Sequence, residues 1–170
     1  MSAEHVDGPD DAPVTLIIYG DYECPDTRVA HVALQRVRPR LGDTLRYVYR
    51  HFPLRTIHPH AQHAAEAAEL ADAEGKFWEM HVQLFKHQHE LEDADLVRYA
   101  TELGIDEIRA RDALRTHAYA ERVEADVRSG LALGVHGTPT MFINGVRYTG
   151  ARDARTLEAA LRGASAQSPA

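Results

Sequence analysis

The sequence of 170 residues contains a single cysteine, Cys24, and this scarcity restricts the sulfur chemistry that the chain can carry out. One cysteine excludes a disulfide within these residues, so the fold does not need an oxidising compartment for its stability. It also leaves one thiol for any redox reaction, and a reaction that needs two neighbouring thiols is excluded.

Long hydrophobic runs are missing as well. The longest apolar stretch, around Val14–Tyr19, is far too short to cross a bilayer. The first thirteen residues, MSAEHVDGPDDAP, have neither the positive start nor the apolar core of a signal peptide. We therefore expect a cytoplasmic protein that does not insert into a membrane.

The sequence also lacks a block of basic residues. Its formal net charge is −7, and acidic and basic residues are mixed along most of the chain. This distribution argues against a nucleic-acid partner, which would need a basic patch. The apolar fraction of 44% and the charged fraction of 26% are typical of a globular domain, and the length fits one such domain.

The first third of the chain alternates between strand and helix patterns. The run VTLIIYG, Val14–Gly20, is short, apolar and rich in β-branched residues, which predicts a buried strand. A helix is predicted to begin at Cys24–Pro25, because proline suits the first helical position, and to end near Arg38. The alternation over Thr44–Phe52 predicts a second strand, and the order strand, helix, strand favours a βαβ unit.

The rest of the chain is mostly helical. Residues from about 59 to 133 have helical composition and periodicity. A hairpin is predicted over Thr140–Gly150, since Asn144–Gly145 tolerates the positive φ values of a tight turn. An amphipathic helix follows it. We expect a flexible leader over residues 1–12, one domain over 13–163 with the helical block inserted in it, and a flexible tail over 164–170.

Cys24 stands where a reactive thiol is favoured, after a strand and at the start of a helix. Free N–H groups and the helix dipole stabilise a thiolate there, and the hydroxyl of Thr27 is a further potential donor. Three acidic neighbours oppose ionisation of the thiol, and they are Asp21, Glu23 and Asp26. An inert, buried cysteine is the alternative interpretation.

Four stretches taken together resemble one protein family. They are VTLIIYGDYECP, RYVYRHFPL, HPHAQHAAEAAELADAEGKFWEMH and GVHGTPTMFINGVRYTGA. With them the chain resembles the DsbA-like branch of the thioredoxin-fold oxidoreductases, especially bacterial forms that occur alone or fused to sodium/proton antiporters. The resemblance implies an α/β thioredoxin fold with an inserted all-helical subdomain, in agreement with the order of elements above.

The resemblance also assigns roles to residues. Cys24 matches the nucleophilic cysteine of the family, Pro25 and Asp26 are the two residues that follow it, and Thr27 stands where the family usually has its resolving cysteine. Thr138–Pro139 matches a cis-proline loop that faces the nucleophile, and the backbone of Thr138 would pair with an extended substrate. His136, just before that loop, either donates to the thiolate or faces water.

Thr27 limits how much of the family's activity carries over. A threonine hydroxyl does not attack a mixed disulfide at neutral pH, so Cys24 cannot be resolved within the chain. The sequence therefore predicts a single-cysteine thiol–disulfide oxidoreductase. Its mixed disulfide with a protein or peptide substrate would be resolved by an external thiol such as glutathione or another small thiol. The alternatives are a non-catalytic binding module and a glutathione-transferase-like or peroxidase-like enzyme on the same scaffold.

The histidines raise the question of a metal. Six of the eleven form two groups in the sequence, one of His58, His60 and His63 and one of His81, His87 and His89. Neither group has the His-Glu-x-x-His spacing of a metal-binding helix, so we predict no metal and no organic cofactor. The aromatic run GKFWEMHVQLF has apolar residues at helical spacing, and we assign it to the core.

Overall fold

The computed structural model describes residues 4–168, and its five strands form one mixed sheet. The strands are β1 (His5–Asp7), β2 (Val14–Gly20), β3 (Leu45–His51), β4 (Thr140–Ile143) and β5 (Val146–Tyr148). Their order across the sheet is β1-β3-β2-β4-β5. Only β2 and β3 run parallel, and the other neighbours are antiparallel. The predicted βαβ unit and the predicted hairpin are both present.

Seven α-helices and a short 3-10 helix, Gly42–Thr44, complete the described part of the chain. The α-helices are α1 (Pro25–Leu41), α2 (Ala61–Asp72), α3 (Phe77–Lys86), α4 (Asp93–Glu102), α5 (Glu107–Arg115), α6 (Ala120–Ala132) and α7 (Ala154–Gln167). The helices α2 to α6 fall within the predicted insertion at residues 59–133. They lie between β3 and β4 in the chain, so the fold is the expected thioredoxin fold with a helical insertion. Among residues 4–168, no helix is long and apolar enough to cross a membrane.

The apolar pattern of the sequence locates the core correctly. The alanines of α2 are all buried, which lets neighbouring helices approach closely. The aromatic run of α3 also belongs to the core, where Phe77, Met80, Leu84 and Phe85 are buried and Trp78 packs against them. Asn144 and Gly145 adopt φ values of 48° and 80°, as the predicted tight turn requires.

The predicted flexible leader is wrong over His5–Asp7. This segment is strand β1, and it pairs antiparallel with Tyr47–Tyr49 of β3. The reason is the side chain of His5, which is buried, stacks on Phe77 at 3.5 Å between ring centroids and bonds Glu69. A polar composition therefore concealed a residue that belongs to the core. Residues 1–3 lie outside the part of the chain described.

The predicted flexible tail is corrected too, because α7 continues to Gln167 and Ser168 donates a hydrogen bond to the carbonyl of Pro13 at 2.7 Å. Residues 169 and 170 are not among those described. The first helix also runs beyond its predicted end, through Pro39 to Leu41. A proline in the last turn removes only one backbone hydrogen bond, and burial of Leu41 offsets that loss.

His31 joins α1 to the helical insertion. Its ring is 9% exposed, stacks on Phe85 of α3 at 4.6 Å and meets the ring of His81 edge-on at 5.1 Å. Burial, with a smaller contribution from the charge of Arg28, lowers the pKa of His31 to about 4. Burial lowers the pKa of His81 as well. Both imidazoles are therefore neutral in the folded protein at pH 7.

The lowered pKa of His31 predicts that the protein loses stability in mild acid. The unfolded chain protonates His31 near its ordinary pKa of 6.5, whereas the folded chain does so only near 4. The stabilisation that comes from neutral His31 is therefore fully present above pH 6.5 and decreases as the pH falls. Below pH 4 the free energy of unfolding is lower by about 3 kcal/mol than at neutral pH. We expect His31→Phe to flatten the pH dependence of urea unfolding between pH 7 and pH 4.

Replacement of the exposed His89 by alanine is the control, and its pH dependence should match that of the parent. Equal slopes for the parent and His31→Phe would show that His31 does not carry the effect.

Candidate active site

Cys24 occupies the junction between β2 and α1. It is the N-cap residue of α1, with φ −79° and ψ 120°, and Pro25 follows as the first helical residue. Its backbone N–H donates to the carbonyl of Asp21 at 3.1 Å, and its carbonyl accepts from Arg28 at 3.1 Å. The turn therefore holds the thiol at the positive end of α1, as the sequence predicts.

The loop before β4 lies against this thiol. The Thr138–Pro139 peptide bond is cis, which confirms the expectation from resemblance. The thiol of Cys24 donates to the carbonyl oxygen of Thr138, with 3.4 Å between Sγ and O. The Thr138 hydroxyl is buried and has no hydrogen-bond partner within residues 4–168. Cys24 and the cis-proline loop thus form one site although 114 residues separate them.

Asp21 organises the turn that carries Cys24. Its carboxylate is buried and accepts hydrogen bonds from the backbone N–H of Glu23 at 2.8 Å and of Leu54 at 2.9 Å. It also pairs with Nδ1 of His58 at 2.7 Å. The negative charge of Asp21 is therefore directed at these donors, which reduces its repulsion of a thiolate at Cys24.

The other two acidic neighbours also have partners. The carboxylate of Glu23 accepts from the backbone N–H of His60 at 2.8 Å, and Asp26 forms an ion pair with Arg152 at 3.5 Å. Because all three carboxylates near Cys24 are engaged, the electrostatic opposition expected from sequence is partly offset. Pro25 and Asp26 are exposed beside the buried thiol, where an approaching substrate would meet them.

Thr27 does not take the role predicted for it. Its hydroxyl accepts a long hydrogen bond of 3.4 Å from the backbone N–H of Asp21, and among the described residues it has no bond to Sγ of Cys24. Its methyl group lies close to Gly20, where an added Cβ would approach to 2.8 Å. The side chain is 1% exposed and packs into the core beneath the turn. The expected support of the thiolate by this hydroxyl is therefore not formed in this structure.

Of the two interpretations of His136, donation to the thiolate or exposure to water, the structure agrees with exposure. The residue is exposed, and it makes no hydrogen bond or ion pair with any residue in the described range. It lies two residues from Thr138, at the rim of the cis-proline loop, but has no hydrogen bond to Cys24. A direct donation from His136 to the sulfur is thus absent.

Gln88 is a site residue that the sequence did not reveal. Its Nε2 donates to the carbonyls of Tyr22 and Cys24, at 2.9 Å each, and its side chain is buried. Tyr22 in turn bonds Nδ1 of His81 at 2.9 Å. Burial raises the pKa of Tyr22 and lowers that of His81, so both are neutral. The insertion therefore clamps the turn, through a residue 64 positions from Cys24.

Two histidine–carboxylate clusters have the residues for a metal, and neither coincides with a histidine group of the sequence. One consists of His5, His51 and Glu69, and the other of His63, Glu66 and His117. In the first, both imidazoles bond the same oxygen of Glu69, at 2.6 and 2.7 Å. Burial would raise the pKa of Glu69, but these hydrogen bonds outweigh it and hold that pKa well below its usual range.

Comparisons with known proteins identify the family and the fold. A family model described as thioredoxin matches residues 2–162. The Na(+)/H(+) antiporter NhaA 3 of Salinispora tropica is 47% identical over 165 residues, which are 96% of this chain but only 25% of that protein. The chain therefore spans about a quarter of the length of such relatives.

Solved structures show the same fold. BdbD from Bacillus subtilis, in its oxidised form, superposes with a TM-score of 0.84 at 23% identity, over 96% of this chain and 93% of that one. The thiol-disulfide exchange protein alpha-DsbA2 from Wolbachia pipientis gives a TM-score of 0.76 at 21% identity, over 93% and 85% of the two chains. The chain belongs to the thioredoxin family.

The clamp at Gln88 gives a testable prediction. Gln88→Ala leaves two buried carbonyls with one donor fewer each, so we expect the free energy of unfolding to fall by about 1–3 kcal/mol. The turn also loosens, so alkylation of Cys24 by iodoacetamide should become faster. Gln83→Ala is the matched control, because Gln83 bonds only the exposed Glu102. Its effects should be small, and equal effects of the two substitutions would contradict the clamp.

Proposed function

We propose that this chain is a thiol–disulfide oxidoreductase that works with one thiol. The observation that carries the proposal is the position of Cys24. Its Sγ lies at the N-terminus of α1 and 3.4 Å from the carbonyl oxygen that precedes the cis bond to Pro139. A nucleophilic thiol and a backbone segment that can pair with an extended peptide thus lie side by side.

The proposed reaction has two exchange steps. The Cys24 thiolate attacks one sulfur of a substrate disulfide, a Cys24–substrate disulfide forms, and the other sulfur leaves as a thiolate that takes up a proton. A small external thiol, itself deprotonated, then attacks the substrate sulfur of this mixed disulfide and releases Cys24 as a thiolate. At the end, one sulfur of the original substrate disulfide is a thiol, and the other is in a disulfide with the external thiol. Cys24 is unchanged.

The local polar groups suit an exchange between two states of Cys24. As a thiol, the side chain donates to the carbonyl of Thr138. As a thiolate it has no proton to donate, and the free N–H groups in the first turn of α1 become the better partners. The paired carboxylates of Asp21, Glu23 and Asp26 leave that turn available for the negative charge.

The proposal includes a substrate class and a compartment. The substrate is a protein or peptide with a disulfide or a thiol-capped cysteine, because the backbone beside Pro139 can add an extended strand. The resolving thiol is glutathione or another small thiol, and we place the protein in the cytoplasm, where such thiols are reduced and abundant. No metal or organic cofactor enters these steps.

One observation favours a second function, that of a non-catalytic binding module. Cys24 is only 6% exposed, and its thiol donates a hydrogen bond to the carbonyl of Thr138. Both features would slow a reaction with a bulky partner. A peptide would then bind at the cis-proline loop without forming a covalent bond.

The decisive experiment measures turnover of a glutathione-capped cysteine peptide with excess glutathione, with Cys24→Ser as the comparison. We expect turnover in the parent and a loss of at least about 100-fold in Cys24→Ser, because the covalent step is lost. Peptide binding without turnover would support the binding module. Turnover with hydrogen peroxide or an electrophile, but none with the capped peptide, would support a peroxidase-like or transferase-like enzyme.

A second prediction concerns the missing cysteine. Thr27→Cys places a thiol three residues after Cys24, so mild oxidation should form a disulfide between the two and leave no free thiol on titration. Cysteine is smaller than threonine, and the buried site beside Gly20 accepts it. Thr44→Cys is the control, since residue 44 follows the far end of α1, about 25 Å from Cys24 at 1.5 Å per helical residue. Two free thiols in oxidised Thr27→Cys would contradict the geometry.

A further inference from the structure

The second histidine–carboxylate cluster lies on the helical insertion. His63 and Glu66 are three residues apart in α2 and share one face of that helix. His117 reaches them from the turn between α5 and α6. One nitrogen of each histidine and one carboxylate oxygen of Glu66 all lie within 4.8 Å of one another.

Glu66 is the member of this cluster that the fold itself does not explain. Its side chain is 1% exposed. One oxygen, Oε1, accepts from Nε2 of Gln62 at 2.8 Å and lies 3.2 Å from Nδ1 of His117. The other, Oε2, is buried and has no hydrogen-bond partner among the residues that the structure covers. A buried carboxylate oxygen without a donor is costly, and a bound cation would satisfy it.

The ring of His63 is held by a carboxylate, as the ring of a metal-binding histidine usually is. Its Nδ1 lies 2.5 Å from a carboxylate oxygen of Asp93, at the start of α4. If Nδ1 carries the proton of this bond, Nε2 has a free lone pair for a metal. A carboxylate behind a histidine is the usual arrangement around zinc, where it fixes the ring and makes the nitrogen more basic.

His117 completes the set from the other side. Its backbone has a φ of 53°, an uncommon value for a residue other than glycine, and this turn brings its ring to 5.0 Å from that of His63. The side chain is 55% exposed. A groove of about 380 Å³ that is open to solvent is lined by both Glu66 and His117, so an ion can enter from water.

We propose that His63, Glu66 and His117 bind a divalent metal ion of the Zn²⁺ type, with Asp93 as the hydrogen-bond partner of His63. Two imidazoles and one carboxylate suit zinc, whereas Mg²⁺ and Ca²⁺ prefer oxygen ligands alone. Zinc bonds of about 2.0–2.1 Å require ligand atoms about 3.3 Å apart, so the side chains would close slightly around the ion. Water fills the fourth position, from the groove.

The ion would link α2 to the turn between α5 and α6, which the sequence separates by about 50 residues. Because it would bind the folded chain and not the unfolded one, it would also raise the melting temperature. The site is distinct from Cys24, and the proposal does not depend on the exchange chemistry proposed there.

The cluster of His5, His51 and Glu69 is less suited to a metal. All three side chains are at most 3% exposed, and both imidazoles already bond one oxygen of Glu69. A metal would have to displace two short hydrogen bonds in a closed core. This cluster and Cys24 are therefore the competing sites that an experiment must separate.

The experiment uses the full chain with Cys24→Ser, stripped of metal by a chelator, and titrates Zn²⁺ in competition with a chromophoric chelator. We expect one zinc per chain. His117→Gly should weaken binding at least tenfold, and glycine is chosen because it accepts the positive φ of this residue. His63→Ala should do the same. Asp93→Asn should weaken binding by about 10–100-fold, as the loss of such second partners does.

Replacement of the exposed His89 by alanine is the control and should bind zinc as the parent does. Circular dichroism verifies that each variant is folded, and Co²⁺ in place of zinc should give the visible absorption of a four-coordinate site. Absence of stoichiometric binding by the parent would overturn the proposal. So would binding that folded His117→Gly and His63→Ala leave unchanged, which would point to the core cluster instead.

Discussion

The buried carboxylate of Asp21 is the constraint on which the site depends. It stands one residue after β2 and binds two backbone N–H groups, one within its own turn and one at Leu54, beyond the end of β3. These bonds fix the positions at which the chain leaves the two parallel strands. A hydrogen bond with Nδ1 of His58, at 2.7 Å, also compensates for the burial of this carboxylate. Without this carboxylate the turn would lose the shape that delivers Cys24 to the end of α1.

The rest of the site is built onto this turn from two distant parts of the chain. Gln88, from the insertion, donates to the carbonyl of Cys24. The carbonyl of Thr138, in the loop before β4, accepts a hydrogen bond from the Cys24 thiol. The sulfur is thus held between the helical subdomain and the sheet. A change in the packing of either unit would reach Cys24 through one hydrogen bond, so the insertion is part of the site and not only a cover for the sheet.

Local signals allowed much of this fold to be predicted. Val14–Gly20 is a strand with the predicted bounds, and Asn144–Gly145 forms the predicted turn, because both depend on nearby residues. His5 and Gln88 were missed, since each is a polar residue whose burial depends on partners 64 positions away. The role of Thr27 was misjudged because a position in the sequence does not say which way a side chain points.

The two histidine–carboxylate clusters show why burial, and not composition, decides what such residues do. Glu69 has its charge satisfied by two imidazoles in a closed core, so this cluster contributes to the pairing of β1 and the position of α2. Glu66, one helical turn earlier, has one oxygen without a donor and faces a groove that water can enter. Two histidines and one glutamate therefore complete a core in one place and leave a ligand position open in the other.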